Sequence, residues 1–197
     1  LRGFAENLAP CGFNAKAFMA CYGMAETVLA VSFAPLDAGL QVDYVDSELM
    51  TTTGAAQPVA SNHESAAGYV DCGAVLPGFE ISIRDAQGNV LADRLCGEIF
   101  LRGPSVMSGY FHDEEATGAV LSSDGWLDTG DIGYRVGQHL VITARSKDVI
   151  IIKGRNIWPH DMESVAEKLD EVRLGGVAAF AVPQDDGEDQ AVLVVET

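Results

Sequence analysis

Four short stretches of the chain carry side chains that could hold a nucleotide and a cation. The first, YGMAE at 22–26, combines an aromatic ring, a glycine and a carboxylate. The others are GWLDTGD at 125–131, ARSKD at 144–148 and KGRNIWPHDME at 153–163. Carboxylate oxygens suit Mg²⁺, and glycine lets the backbone approach a ligand closely. Each stretch alone also fits a turn, a strand end with a buried tyrosine, or a surface ion pair.

The charge of the chain restricts its partners. The 197 residues carry 29 acids against 12 bases, a net charge of -17, while 48% of them are hydrophobic. This is an ordinary globular composition for one to two domains. Such an acidic surface repels nucleic acid and anionic lipid, so we expect neither as a partner. The scarce bases are therefore informative, and four fall close together as either a solvated turn or a local anion site: Arg145, Lys147, Lys153 and Arg155.

Cysteine spacing and apolar runs indicate a cytoplasmic protein. The cysteines, at 11, 21, 72 and 96, show no C-x-x-C spacing, so we predict reduced thiols and no zinc site. The longest apolar runs, VIII and VLVV, are too short to span a bilayer, which predicts no stable membrane insertion. Because the chain begins at Leu1 and ends in the strand-like QAVLVVET, we expect a fragment of a longer protein.

The first third of the chain has the weakest secondary-structure pattern. Residues 4–20 favour helix but are interrupted by a proline and a glycine, and the apolar residues 27–33 predict a strand or a short helix. For residues 34–72 we predict a long, mostly irregular excursion with one short strand at LQVDYVD, 40–46. A loop of this length inside a domain is either functional or partly mobile.

The middle of the chain predicts a sheet. FEISIRD at 79–85 and GEIFLRG at 97–103 alternate apolar and polar residues, as half-buried strands do. DIGYRVGQHLVITA at 131–144 predicts a hairpin that turns near Gly137. Several short strands at this spacing indicate a small barrel or a curled sheet over about 73–146.

In the last fifty residues the spacing of the apolar residues changes, and the new pattern predicts a small α+β unit. DVIIIKG at 148–154 reads as a buried strand, and the segments at 175–182 and 190–196 as two more. Between them, PHDMESVAEKLD at 159–170 predicts a helix with acids in its first turn. Its expected buried face consists of Met162, Val165, Ala166 and Leu169.

Taken in order, the four stretches resemble the adenylate-forming superfamily of acyl-CoA synthetases, adenylation domains and luciferases, over nearly the whole chain. The sequence is most similar to the fatty acyl-AMP ligase branch. Ala25 stands where most of the superfamily has threonine, and KDVIIIKGRNIWPHDME is similar to that branch's version of the segment. The 46 residues between Glu26 and Gly73 resemble the place where that branch carries an insertion.

The resemblance implies a domain organisation. Residues 1–146 would be the C-terminal part of a large AMP-binding domain: the end of an α/β subdomain, then a distorted β-barrel subdomain from about 73 to 146. Residues 147–197 would begin a small C-terminal α+β domain. The implied fold class is therefore mixed α/β and β.

The resemblance also implies a site for ATP and Mg²⁺. Tyr22 would stack on adenine, Glu26 would ligate magnesium, and Asp131 would accept hydrogen bonds from the ribose hydroxyls. Arg145 would reach the ribose or phosphate. Lys147 would be the hinge about which the small domain rotates. The implied nucleotide-binding residues are Tyr22, Gly23, Met24, Ala25, Glu26, Asp131 and Arg145.

Two parts of the implied enzyme have no counterpart in this sequence. The family's phosphate-gripping loop would lie upstream and its catalytic lysine downstream, so we assign no catalytic residue here and expect the fragment alone to be inactive. Gly154 would belong to the loop that swings toward the active site for the second half-reaction.

The implied reaction of the parent is ATP-dependent activation of a long-chain fatty acid as acyl-AMP, releasing pyrophosphate. The acyl group would pass to the phosphopantetheine thiol of an acyl carrier protein or polyketide synthase carrier domain. An acyl-CoA synthetase using coenzyme A is the alternative within the class, and the long 34–72 segment favours the ligase. A non-catalytic, β-rich interaction module with a remnant site is the alternative outside it.

Overall fold

A computed structural model describes residues 1–152, 155–184 and 189–197. Its N-terminal part contains helix α1 (Arg2–Leu8), two short strands, β1 (Cys21–Tyr22) and β2 (Ser32–Phe33), and three 3₁₀ turns at Ala9–Cys11, Ala15–Ala17 and Ala25–Thr27. The middle part contains β3 (Val42–Asp46), α2 (Ser47–Thr53), β4 (Ala66–Val75), β5 (Glu80–Arg84), β6 (Gly97–Arg102), α3 (Glu114–Val120), β7 (Leu127–Val136) and β8 (His139–Arg145). The C-terminal part contains β9 (Ile150–Ile152), β10 (Arg155–Ile157), α4 (Pro159–Ala166), β11 (Val177–Pro183) and β12 (Asp189–Val195).

An antiparallel sheet of eight strands dominates the described structure. Its order is β1-β2-β4-β8-β7-β6-β5, and β3 pairs with the N-terminal half of β4. The pairing register shifts at three places, in β4–β8, β6–β7 and β7–β8. Such bulges bend strands and increase their twist, so the sheet curls. The predicted mixed α/β fold class with a curled antiparallel sheet is confirmed.

The alternating patterns in the middle of the chain place the core correctly. Ile83 of β5 and Ile99 and Leu101 of β6 are almost fully buried. The predicted hairpin is β7–β8, which turns at Gly137 with a backbone φ of 62°. A glycine suits that turn because L residues with side chains seldom adopt positive φ.

The prediction for residues 34–72 is wrong in part. The short strand is confirmed as β3, but the segment also contains α2 and most of β4, so only residues 34–41 and 54–65 lie outside helices and strands. Asp46 caps α2 by accepting from the backbone N–H groups of Glu48 and Leu49, both at 3.0 Å. Thr52 and Thr53 donate their hydroxyls to backbone carbonyls one turn earlier in the helix. Gly54 ends the helix with a φ of 72°.

The C-terminal unit has the predicted strands and helix, but it also has a strand that was not predicted, β10, and a different buried face. Strands β9 and β10 form one hairpin and β11 and β12 another. Helix α4 ends at Ala166, and Val165 and Leu169 are 65% and 59% exposed, so their predicted burial is wrong. Trp158, just before α4, is buried instead, and it packs among Met50, Tyr69 and Tyr134 of the large sheet region. Gly154 and Lys153 lie outside the described residues.

No helix in the described part of the chain is both long enough and apolar enough to cross a membrane.

Candidate nucleotide site

The YGMAE motif lies on a tight loop between the first two strands. Strands β1 and β2 pair antiparallel, and the loop is closed by a hydrogen bond of 2.8 Å from the Val31 N–H to the Tyr22 carbonyl. Within it, Thr27 is buried and donates its hydroxyl to the Met24 carbonyl at 3.0 Å. The 3₁₀ turn that follows Met24 presents Glu26 from a fixed backbone.

Gly23 is required by packing in this loop. A Cβ atom at position 23 would lie 1.6 Å from the carbonyl oxygen of Leu29, far inside van der Waals contact. Val28 has a φ of 72°, a conformation that a β-branched residue adopts only under constraint. The backbone of the loop is therefore compact and strained at one residue.

Strand pairing brings Asp131 to Arg145 and to the loop. The two residues are direct partners across β7 and β8. The Tyr22 hydroxyl donates to Asp131 Oδ2 at 2.6 Å, and Arg145 Nε lies 3.5 Å from Oδ1. Asp131 is only 9% exposed, whereas the Arg145 side chain is 76% exposed. The short phenol bond is charge-assisted and strong, while the exposed ion pair contributes little.

Burial and the neighbouring Asp131 carboxylate keep the Tyr22 hydroxyl protonated, so that it acts as a hydrogen-bond donor. Burial raises the pKa of the Tyr22 phenol, and the hydrogen bond to the Asp131 carboxylate raises it further. The phenol therefore stays protonated at neutral pH and holds one oxygen of Asp131 in place. A carboxylate offers about four acceptor positions, so Asp131 keeps capacity for two ligand hydroxyls.

Glu26 has a partner that sequence reasoning missed. The Tyr110 hydroxyl donates to Glu26 Oε1 at 2.9 Å, and this bond raises the pKa of Tyr110. Tyr110 is 38% exposed and follows β6 on the segment before α3. The two residues are 84 positions apart, and a lone exposed tyrosine gives no periodic signal, so only the fold brings them together.

All of the predicted site residues line one open cleft of about 980 Å³. Lys147 lies on its rim, exposed, in the turn at 146–148 that connects the large sheet to β9. The lining also includes Thr129, which lies in the 125–131 motif but was given no role, and Thr143 and Tyr110, which belong to none of the four motifs. The predicted residues in the lining are Tyr22, Gly23, Met24, Ala25, Glu26, Asp131, Arg145 and Lys147.

The donor set of the cleft fits a cation shared with a phosphate ligand. The described residues contain no group of three or more His, Cys, Asp or Glu side chains that could hold a metal by themselves. Magnesium, however, is usually held by one or two carboxylates together with substrate phosphates and water. Glu26, half-buried on the cleft wall, supplies one such carboxylate.

Comparison with known proteins gives a consistent result. The AMP-binding enzyme family matches residues 2–111. A Caulobacter vibrioides protein named "Putative acyl-CoA synthetase" is 47% identical over the whole chain, which covers 34% of that protein. The long-chain-fatty-acid–AMP ligase FadD32 of Mycobacterium marinum is 33% identical over 93% of the chain and 32% of its own length.

A solved structure supports the same relationship. It comes from a study of fatty acyl-adenylate ligases of E. coli and L. pneumophila, and it superposes with a TM-score of 0.87 at 41% identity. The match covers 98% of this chain and 34% of that one. The chain thus spans about a third of the length of the relatives it matches. Since the family match extends over more than half of its residues, the chain belongs to the AMP-binding enzymes.

Proposed function

We propose that the chain is the part of a fatty acyl-AMP ligase that binds the adenosine and cation of ATP. The parent would activate a long-chain fatty acid as acyl-AMP and release pyrophosphate. One observation carries the proposal: the Tyr22–Asp131–Arg145 group and Glu26 line the same cleft. Acceptors for ribose hydroxyls and a carboxylate for a cation are what an adenylating site needs.

The proposed role of each residue follows from how deeply its side chain is buried. Asp131 is buried and held by Tyr22, so it suits the fixed, neutral ribose hydroxyls. Its two remaining acceptor positions would orient the sugar and thereby the α-phosphate, and such positioning is the main source of rate in phosphoryl chemistry. Tyr22 would offer adenine the face of its ring, and Arg145, whose side chain is exposed, would reach the ribose or phosphate. Met24 and Ala25 would form the wall beside them.

When bound, Mg²⁺ would offset the charge of the phosphates. Glu26 would hold it through a carboxylate oxygen. The need for a cation is strong here because the chain itself carries a net charge of -17. Phosphates would otherwise approach against the field of the protein.

We further propose that residues 1–146 complete the large domain and that Lys147 is the hinge to the small one. The position of Lys147 in an exposed turn between two separately paired sheets supports this role. A hinge needs a few residues that absorb large φ/ψ changes. Trp158 would have to leave its buried contacts if the small domain rotated.

For the acyl acceptor, we propose the phosphopantetheine thiol of a carrier protein. Support comes from the name of one relative, a medium-chain-fatty-acid–[acyl-carrier-protein] ligase of Teredinibacter turnerae, which is 31% identical over 98% of the chain. The Caulobacter relative named as an acyl-CoA synthetase keeps coenzyme A as the alternative.

The test is pyrophosphate exchange by the full-length parent with ATP, Mg²⁺ and C12–C16 fatty acids. We expect exchange that depends on fatty acid. Its absence would reject the ligase function and favour a non-catalytic module. Supplying carrier protein or coenzyme A to the preformed acyl-adenylate then distinguishes the two acceptors.

A further inference from the structure

The segment before α3 holds the Glu26 turn at three points. The Met107 N–H donates to the Glu26 carbonyl at 2.7 Å, and the Ser105 hydroxyl donates to the Thr27 carbonyl at 3.0 Å. The third contact reaches the side chain itself, from the Tyr110 hydroxyl to Glu26 Oε1 at 2.9 Å. The backbone and the carboxylate of Glu26 are therefore both fixed by the same segment.

Tyr110 is itself anchored to α3. Its backbone N–H donates to Thr117 Oγ1 at 2.8 Å, and the Thr117 hydroxyl donates onward to the Asp113 carbonyl at 2.7 Å. Gly109 adopts a φ of 151°, and a Cβ there would lie 2.9 Å from Thr117 Cγ2. Thr117 thus packs against the backbone at Gly109 and Tyr110. This contact fixes the backbone position from which the Tyr110 side chain extends.

We propose that Tyr110 is a positioning residue that orients the Glu26 carboxylate for the cation. The inference rests on the proposed function, which gives Glu26 its cation. In the described part of the chain, the carboxylate accepts only the phenol bond, on Oε1, so Oε2 stays available. A hydrogen bond to one oxygen of a ligating carboxylate restricts its rotation and presents the other oxygen.

The experiment measures cation binding directly in the full-length parent. Mn²⁺ replaces Mg²⁺ as the probe, a non-hydrolysable ATP analogue is bound, and free Mn²⁺ is followed by electron paramagnetic resonance. We expect Tyr110→Phe to weaken Mn²⁺ binding about 10-fold, as is usual for removing the partner of a metal ligand. The affinity for the analogue in the presence of EDTA should not change.

Three further variants separate a positioning role from general damage to the fold. Thr117→Val removes the anchor and should weaken Mn²⁺ in the same direction, whereas Thr117→Ser keeps the hydroxyl and should restore binding. Phe111→Ala is the matched control, because Phe111 is the next residue, is 89% exposed and does not line the cleft. Its Mn²⁺ affinity should equal that of the parent.

The outcomes distinguish this inference from the proposed function. If Glu26→Gln loses Mn²⁺ but Tyr110→Phe binds it within twofold of the parent, the positioning role is rejected and the function stands. If Glu26→Gln also retains Mn²⁺, both the positioning role and the magnesium assignment are rejected. If Mn²⁺ behaves as expected but no fatty acid supports pyrophosphate exchange, the positioning role stands and the ligase function is rejected.

Discussion

Replacing Asp131 by asparagine tests the ribose contact with little change of shape. The side chain is 9% exposed and accepts the Tyr22 hydroxyl at 2.6 Å. An amide has one acceptor oxygen where the carboxylate has two, and it carries no charge. The variant therefore keeps the volume of the site but loses its charge-assisted acceptors.

The expected loss can be worked from the number of contacts. A hydrogen bond to a charged group contributes about 1.5–3 kcal/mol, and one between neutral groups about 0.5–1.5 kcal/mol. With two ribose hydroxyls on Asp131, losing the charge costs about 2–3 kcal/mol of binding free energy. The dissociation constant should then rise about 30- to 150-fold.

The assay is calorimetric titration of AMP into the full-length parent, because AMP contacts the ribose site without needing a cation. Tyr22→Phe and the double variant complete a mutant cycle, in which we expect non-additivity because Tyr22 acts through Asp131. Asp170→Asn, an exposed aspartate beyond α4, is the control. If Asp131→Asn and Asp170→Asn bind AMP equally well, the ribose contact is wrong. If the two site effects simply add, the phenol does not act through Asp131.

Three other predictions test the Gly23 loop, the contact of Trp158 and the half-buried carboxyl of Asp161. Gly23→Ala should abolish pyrophosphate exchange, because its Cβ would lie 1.6 Å from the Leu29 carbonyl oxygen; near-normal exchange would contradict this packing. Trp158→Ala should lower the free energy of unfolding by about 3–5 kcal/mol in urea titrations, while Val165→Ala, at a side chain 65% exposed, should leave it nearly unchanged; equal effects would refute the buried contact. Burial raises the pKa of Asp161 in the folded state, so its ionisation costs stability as pH rises above its ordinary value of 3.8. Asp161→Asn should therefore gain in melting temperature relative to the parent from pH 4 upward, and parallel curves would reject this.

The sheet could be predicted from the sequence because its signals are local. The alternation of apolar and polar residues in β5 and β6 indicates one buried face, and Gly137 marks the turn between β7 and β8. Helix α2 could not be predicted in this way. Its threonines resemble a loop until the Asp46 cap and the back-bonded hydroxyls are seen. The prediction of the buried face of α4 was wrong for another reason. Trp158, rather than the apolar residues along the helix, makes the main buried contact of this segment.

The site divides along the same line. Tyr22 and Glu26 lie four residues apart, and their motif is visible in the sequence. The contact between Tyr22 and Asp131 joins residues 109 positions apart; the family resemblance assigned both to one nucleotide site but did not predict the hydrogen bond between them. Tyr110 belonged to none of the four motifs and was missed, because its bond to Glu26 depends on how the segment before α3 folds back. Motifs thus indicate the groups proposed to contact a ligand. The groups that hold those side chains in place can be identified only from the fold.

Two of the four acidic residues that line the cleft are each held by a tyrosine, and under the proposed function this arrangement presents two carboxylates to a nucleotide. Asp131 accepts from Tyr22, and Glu26 accepts from Tyr110. A neutral phenol orients a carboxylate without placing a positive charge beside it, which suits a group proposed to bind hydroxyls or a cation. A lysine or arginine in the same place would form an ion pair and compete with the cation at Glu26. With a net charge of -17 and so few bases, the proposed function would have the chain orient these two carboxylates with neutral phenols, while the metal and the exposed Arg145 offset the phosphate charge.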